Sequence, residues 1–167
     1  MKNLLALAII ILGFSAVSFA QVSATATATT TIVTPIAISK SIDMNFGNVA
    51  VSPTLAGTVV LVPAGTRSTT GGVTLPATAG TVAAAKFIVT GVTGYTYSIT
   101  LPTAPITLTG SPSGTMTAGT FTSTPSPAGV LTGGTQNILV GATLNVAAAQ
   151  VAGTYTSTAF TVTVNYN

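Results

Sequence analysis

The sequence predicts an all-β fold, a sandwich of about eight to ten short antiparallel strands, and three observations carry that reading. Apolar and polar residues alternate with a period of two along most of the chain. Apolar spacing of three and four, the mark of an amphipathic helix, is absent. Breaks rich in Gly and Pro recur at short intervals, as they do where strands turn back.

The N-terminus stands apart from this pattern. Lys2 precedes an apolar run over residues 4–14, interrupted only by Gly13, and Ser18-Phe19-Ala20 follows with small residues around a cleavage point. This is the layout of a secretory signal peptide over residues 1–20, cut between Ala20 and Gln21. The run is too short for a membrane span of ~20 residues. Residues 21–167 remain as one β-sandwich domain, with 21–34 as an N-terminal extension or donor strand. The expected location is the periplasm, the outer surface or the extracellular space, with no stable membrane span in the mature chain.

From residue 22 the even positions read Val22, Ala24, Ala26, Ala28, Thr30, Ile32, Thr34, Ile36, Ile38, Lys40, Ile42, Met44 and Phe46. The odd positions hold mostly Ser, Thr, Asp43 and Asn45, and Pro35 breaks the run into two or three strands or one interrupted edge strand. Gly47-Asn48 and Ser52-Pro53 mark turns. Residues 58–62 form a short apolar strand buried on both faces, closed by Pro63-Ala64-Gly65. Ala85, Phe87 and Val89 face inward, with Lys86 outward; Tyr95, Tyr97, Ile99 and Leu101 share one face of the next strand. Gly91 to Gly94 between them reads as a hairpin loop.

Residues 106–109 form another strand, ended by a turn over 110–114. The alternation then changes phase across Gly119, which predicts a bulge. Pro125 to Gly129 and Gly133-Gly134 are loops. Ile138, Val140, Ala142, Leu144 and Val146 give an unbroken inner face, and Phe160, Val162, Val164 and Tyr166 give the last one. The two alanine triplets, at 83–85 and 147–149, are too short for more than one helical turn.

Catalytic and metal chemistry has little to draw on. The chain has no His, Cys or Trp and a single carboxylate, Asp43. General acid–base work asks for His or paired carboxylates, a nucleophilic triad cannot be assembled, and zinc and calcium sites need ligands this chain lacks. No enzyme, cofactor or metal is therefore expected. Asp43 with Asn45 and Asn48, and the Ser39-Lys40-Ser41 triplet, read as polar strand faces. Lys40, Arg67 and Lys86 are too few and too scattered to bind nucleic acid.

Tyr95 and Tyr97 are the candidates for stacking on a glycan or peptide, and the face they continue into also fits a core. Tyr155, after Ala152-Gly153-Thr154, is similar to the tyrosine corner of immunoglobulin-like sandwiches.

Four stretches together resemble a family of secreted bacterial proteins known as domain of unknown function 4402. They are residues 44–51 (MNFGNVAV), 63–75 (PAGTRSTTGGVTL), 94–101 (GYTYSITL) and 152–167 (AGTYTSTAFTVTVNYN). The last also resembles the spore coat protein U domain, a relative of archaic chaperone–usher pilins, although this chain has no cysteine for the disulfide such relatives often carry. The resemblance implies an immunoglobulin-like sandwich and no catalytic residues. The pilin likeness implies assembly by strand complementation. Val22, Ala24, Ala26, Ala28 and Ile32 would then form the assembly strand, unless that segment pairs within its own domain or stays a tail. Phe160, Val162, Val164 and Tyr166 would form a C-terminal pairing edge.

The leading expectation is a non-catalytic exported structural or adhesive cell-surface protein, self-associating or bound to a protein partner. The alternative is a soluble secreted glycan-binding module using Tyr95 and Tyr97 or the loops around Arg67. A small outer-membrane barrel is the third reading, weakened by few aromatics and short strands.

Overall fold

A computed structural model describes residues 21–167; the signal-peptide reading of residues 1–20 lies outside them. The chain divides after Ile32 into two units. Residues 21–32, the described part of the first, carry no strand and are exposed throughout, with Val22 93 % and Ile32 94 % accessible. Their apolar positions are mostly alanines, whose burial contributes far less than that of a Val, Leu or Ile.

The second unit is all-β and antiparallel, as the alternation predicts. Its strands are β1 (Ala37–Ile42), β2 (Ala50–Val51), β3 (Gly57–Leu61), β4 (Arg67–Gly71), β5 (Val73–Thr74), β6 (Ala85–Thr90) and β7 (Thr96–Thr100). They continue with β8 (Ile106–Ser111), β9 (Thr115–Thr124), β10 (Ala128–Val130), β11 (Thr135–Val146), β12 (Thr154–Ser157) and β13 (Thr163–Tyr166). A single 3-10 turn occupies Thr132–Gly134. The extra strands over the expected number are β2, β5 and β10, pairings of two or three residues that are too brief to show a period.

The large sheet runs β1-β6-β11-β9-β8-β12 and forks at β11. The first half of β11, Thr135 to Val140, pairs with β6; its second half, Ala142 to Val146, pairs with β3, which in turn pairs with β4. Strand β9 follows the opposite edge of β11. It carries the bulge expected near Gly119: Gly141 pairs with Thr122 and Thr143 with Gly119, and Thr120 takes up the extra residue at φ 48°. A three-stranded sheet, β10-β7-β13, and the short β2-β5 pair complete the fold.

The core has two parts, and β11 runs through both. Ala85, Phe87 and Val89 of β6 pack with Tyr97, Leu131, Ile138, Val140, Val162 and Val164. Val59, Val73, Leu108 and Ala118 pack with Leu144 and Val146, and Phe46, Val51 and Tyr155 close over them. All five residues of the inner face predicted for β11 are buried.

Three expectations change. The alternating run over residues 22–46 yields one strand, β1, which starts after Pro35 and lies at the sheet edge. Strand β3 buries Val59 and Leu61 fully, while Thr58 and Val60 are only half-buried on the other face. The Gly91–Gly94 segment is no hairpin: β6 pairs with β1 and β11, whereas β7 pairs with β10 and β13. It crosses between layers, held by Gly91 N–H donating to Gly134 O at 3.0 Å and Gly94 N–H donating to Leu131 O at 2.9 Å. Alternation and glycine turns look alike in both arrangements, because neither specifies the partner strand.

Candidate functional site

Lys40, Asp43, Asn45, Asn48 and Arg67 are occupied with one another or with backbone, while Ser39 and Ser41 are exposed on β1. Lys40 Nζ lies 2.7 Å from both carboxylate oxygens of Asp43 on the exposed edge of β1 and just beyond it. Such exposed pairs contribute ~0–1 kcal/mol. Asn45 Oδ1 accepts the Gly47 N–H at 2.8 Å, and Asn48 Nδ2 donates to Thr78 O at 3.1 Å, so both side chains shape the turn at Gly47. The Arg67 guanidinium, half-buried, donates to the carbonyls of Phe46 and of Asn48, the latter at 3.0 Å. It ties β4 to the segment leading into β2 and is not presented to a ligand.

The two tyrosines proposed as a stacking platform are separated by their surroundings. Tyr97 is fully buried, and its hydroxyl donates to Gln136 Oε1 at 2.8 Å. Burial pushes its phenol above the ordinary value. Tyr95 precedes β7, is 42 % exposed and meets Tyr166 edge-on with ring centroids 5.4 Å apart. Tyr166 in turn accepts the Val92 N–H at 2.8 Å and donates to Thr34 O at 3.1 Å. The pair presents no common face.

Tyr155 forms the corner its local sequence suggests. Its hydroxyl donates to Val151 O, four residues upstream, at 2.6 Å, accepts from Gln150 Nε2 at 2.8 Å and lies 3.3 Å from Ser113 O. The residues before β12 are thereby pinned to the β8–β9 turn. Tyr155→Phe strips this centre of its hydroxyl and is expected to cost about 1–3 kcal/mol, read as a shift in the urea midpoint at unchanged slope.

What the fold offers for recognition is edges and one groove. The edge strands of the large sheet are β1 and β12, with β4 at the end of the fork; β10 and β13 bound the small sheet. Lys40 sits on β1 and Arg67 on β4, charges of the kind that discourage strand addition, whereas β12 and β13 carry none. In the proposed C-terminal pairing edge, Val162 and Val164 are buried in the core and Phe160 and Tyr166 are half-buried. Strand β13 presents its second edge without a strand partner among the described residues. The proposed assembly strand, with Val22, Ala24, Ala26, Ala28 and Ile32, is exposed.

The groove has a volume of about 1280 Å³ and is lined by β6, β8, β9 and β11 of the large sheet and by residues 42–51 and 150–160. Phe87, Ile106, Leu108, Met116, Leu144 and Val146 give it an apolar lining, and the exposed side chains of Ile42 and Val151 also line it. Alternation reports which face of a strand turns inward, not whether the facing layer is continuous, so the groove has no sequence signal of its own.

A family model described as domain of unknown function (DUF4402) matches residues 36–166, from the residue before β1 to the last residue of β13. No curated protein and no solved structure matches the chain.

Proposed function

The chain belongs to the domain of unknown function 4402 family, and from that premise we propose that it is a non-catalytic exported protein of the cell surface, structural or adhesive, which assembles with copies of itself by adding a β-strand. The observation that carries this reading is the state of residues 21–32. Val or Ala alternates with Ser or Thr from Val22 to Thr29, and residues 21–32 hold no charge, belong to no strand and are exposed along their whole length. Strand periodicity without a strand partner suits the donor half of a strand-addition pair, in which main-chain hydrogen bonds supply affinity and alternate side chains specificity. Uncharged edges at β12 and β13 supply acceptors.

The rest of the molecule supports the same direction. One carboxylate and the three cations beyond residue 20 give the exported chain little charge repulsion, which favours association. Tyr97 is buried and the Arg67 guanidinium is bonded to backbone, so neither of these two side chains is presented for stacking on or bonding to a glycan.

Removing residues 22–31 tests the reading. The exported chain is expected to form multimers whose size rises with concentration, and the shortened chain to elute as a folded monomer in size-exclusion chromatography with light scattering. A full-length chain that is monomeric at all concentrations, or multimers that survive the deletion, would overturn it.

A further inference from the structure

We infer that the groove bordered by residues 42–51 and 150–160 is the acceptor for residues 22–32 of a second copy of this chain. The inference rests on the strand-addition reading and adds to it the place where the strand goes.

The groove suits an extended chain better than a compact ligand. Small-molecule sites usually enclose ~300–1,000 Å³, and this one is larger and lined by four neighbouring strands of the large sheet. Core residues reach its lining: Leu108, Ala118, Leu144 and Val146, all in the second core cluster, face it, and half-buried Ile106 and Met116 join them. The first four are buried, so the apolar surface open to water comes mainly from Ile106 and Met116 with exposed Ile42 and Val151, and it gains ~25 cal/mol per Å² when covered.

Its borders are short of backbone partners. Strand β12 lines the groove through all of Thr154–Ser157 and pairs only with β8. Across the groove, residues 43–49 have no continuous ladder: they are held by the isolated Asn45–Ala83 bridge, the Asn48 N–H donating to Ala79 O at 2.7 Å, the Gly47 N–H donating to Asn45 Oδ1, and Arg67 at the Phe46 and Asn48 carbonyls. An incoming strand would find unpaired main-chain groups at β12 and an apolar surface beneath.

The chemistry of residues 22–32 matches. Small side chains at Ala24, Ala26 and Ala28 allow close approach to the lining, and Val22 and Ile32 at the ends supply larger ones. Extended at ~3.3 Å per residue, the segment reaches about 33 Å. Among the described residues the charges lining the groove are Lys40 and Asp43, which neutralise each other, so an uncharged strand is preferred over an acidic or basic one. A chain that gives a strand at one place and takes one at another can associate head to tail, which gives a ring where the rotation closes and an open filament where it does not.

The chain has no cysteine, so engineered disulfides report the contact without background. One exported full-length chain carries Ala26→Cys. It is mixed in turn with chains carrying Ala50→Cys or Ala152→Cys at the groove, Ser39→Cys on β1, or Thr163→Cys on β13. All five positions are exposed, so none of these changes threatens folding. Under mild oxidation, disulfide-linked pairs are expected with Ala50→Cys or Ala152→Cys at a yield on the order of tenfold above the two control edges, because docking raises the effective concentration only there. Preferential linkage at Ser39→Cys or Thr163→Cys would overturn the groove assignment and leave strand addition standing. A monomeric disulfide in a dilute chain carrying both Ala26→Cys and Ala50→Cys would overturn it too, by placing the segment in its own groove. A full-length chain that neither multimerises nor links at any position would defeat the strand-addition reading itself.

Discussion

Gly141→Ala is expected to destabilise the protein by about 3 kcal/mol, at the upper end of what overpacking one methyl group does. The residue sits where β11 changes partner, between Val140, the last to pair with β6, and Ala142, the first to pair with β3. A Cβ there would overlap the Leu61 carbonyl oxygen and lie 2.8 Å from the Val62 carbonyl carbon. Both obstacles are backbone, so no side chain can rotate aside, and relief requires moving the end of β3 off its ladder. Gly65→Ala is the matched control. It lies at φ +84° in the β3–β4 turn with nothing within 4 Å of the added carbon, so only the left-handed backbone term of ~1–2 kcal/mol applies. Urea unfolding of both variants checks the difference; equal losses would show that the close approach of β3 to β11 is not the cause.

Tyr97 yields the second large effect, and it separates packing from polarity. Tyr97→Ala removes a fully buried ring from the first core cluster and is expected to cost about 3–5 kcal/mol, by analogy with other large aromatic truncations. Tyr97→Phe keeps the ring and loses one hydrogen bond, worth ~1 kcal/mol. The loss stays small because Gln136 Oε1 retains the Val130 N–H at 2.9 Å.

The phenol also sets a pH dependence. Burial raises its pKa, so the folded state holds the proton after the unfolded chain, which ionises near ~10, has lost it. Stability from this group is therefore fully present below the unfolded value and declines as pH rises through the folded one. Melting temperatures measured between about pH 8 and pH 11 should fall more steeply for the parent protein than for Tyr97→Phe.

Legibility followed the range of the interaction. The inner face of β11 and the Ala85-Phe87-Val89 face of β6 were readable because burial of one side of a strand writes a period of two directly into the chain. The β9 bulge was readable because it changes that period at Gly119, and the Tyr155 corner because its partner lies four residues away. Partner choice was not. Tyr95 and Tyr97 have the spacing of a shared face, yet pairing of β7 begins only at Thr96, so Tyr95 is left outside the core. The layer crossing at Gly91 to Gly94 and the groove both depend on which strands meet across some forty or more residues of intervening chain, such as β6 with β11. No local pattern encodes that.

The forked pairing of β11 also governs when the protein can fold. In a chain that emerges N-terminus first, whether from a ribosome or through a membrane, β3 and β6 appear long before the strand that unites them. Until residue 146 has emerged, the β3–β4 hairpin and β6 hold apolar faces with no common partner. Non-local pairing of this kind is slow, and its reward comes only after the loops are closed. The late position of β11 thus delays the joining of the two halves of the core until one strand has emerged, and Val162 and Val164, later still, complete the first half.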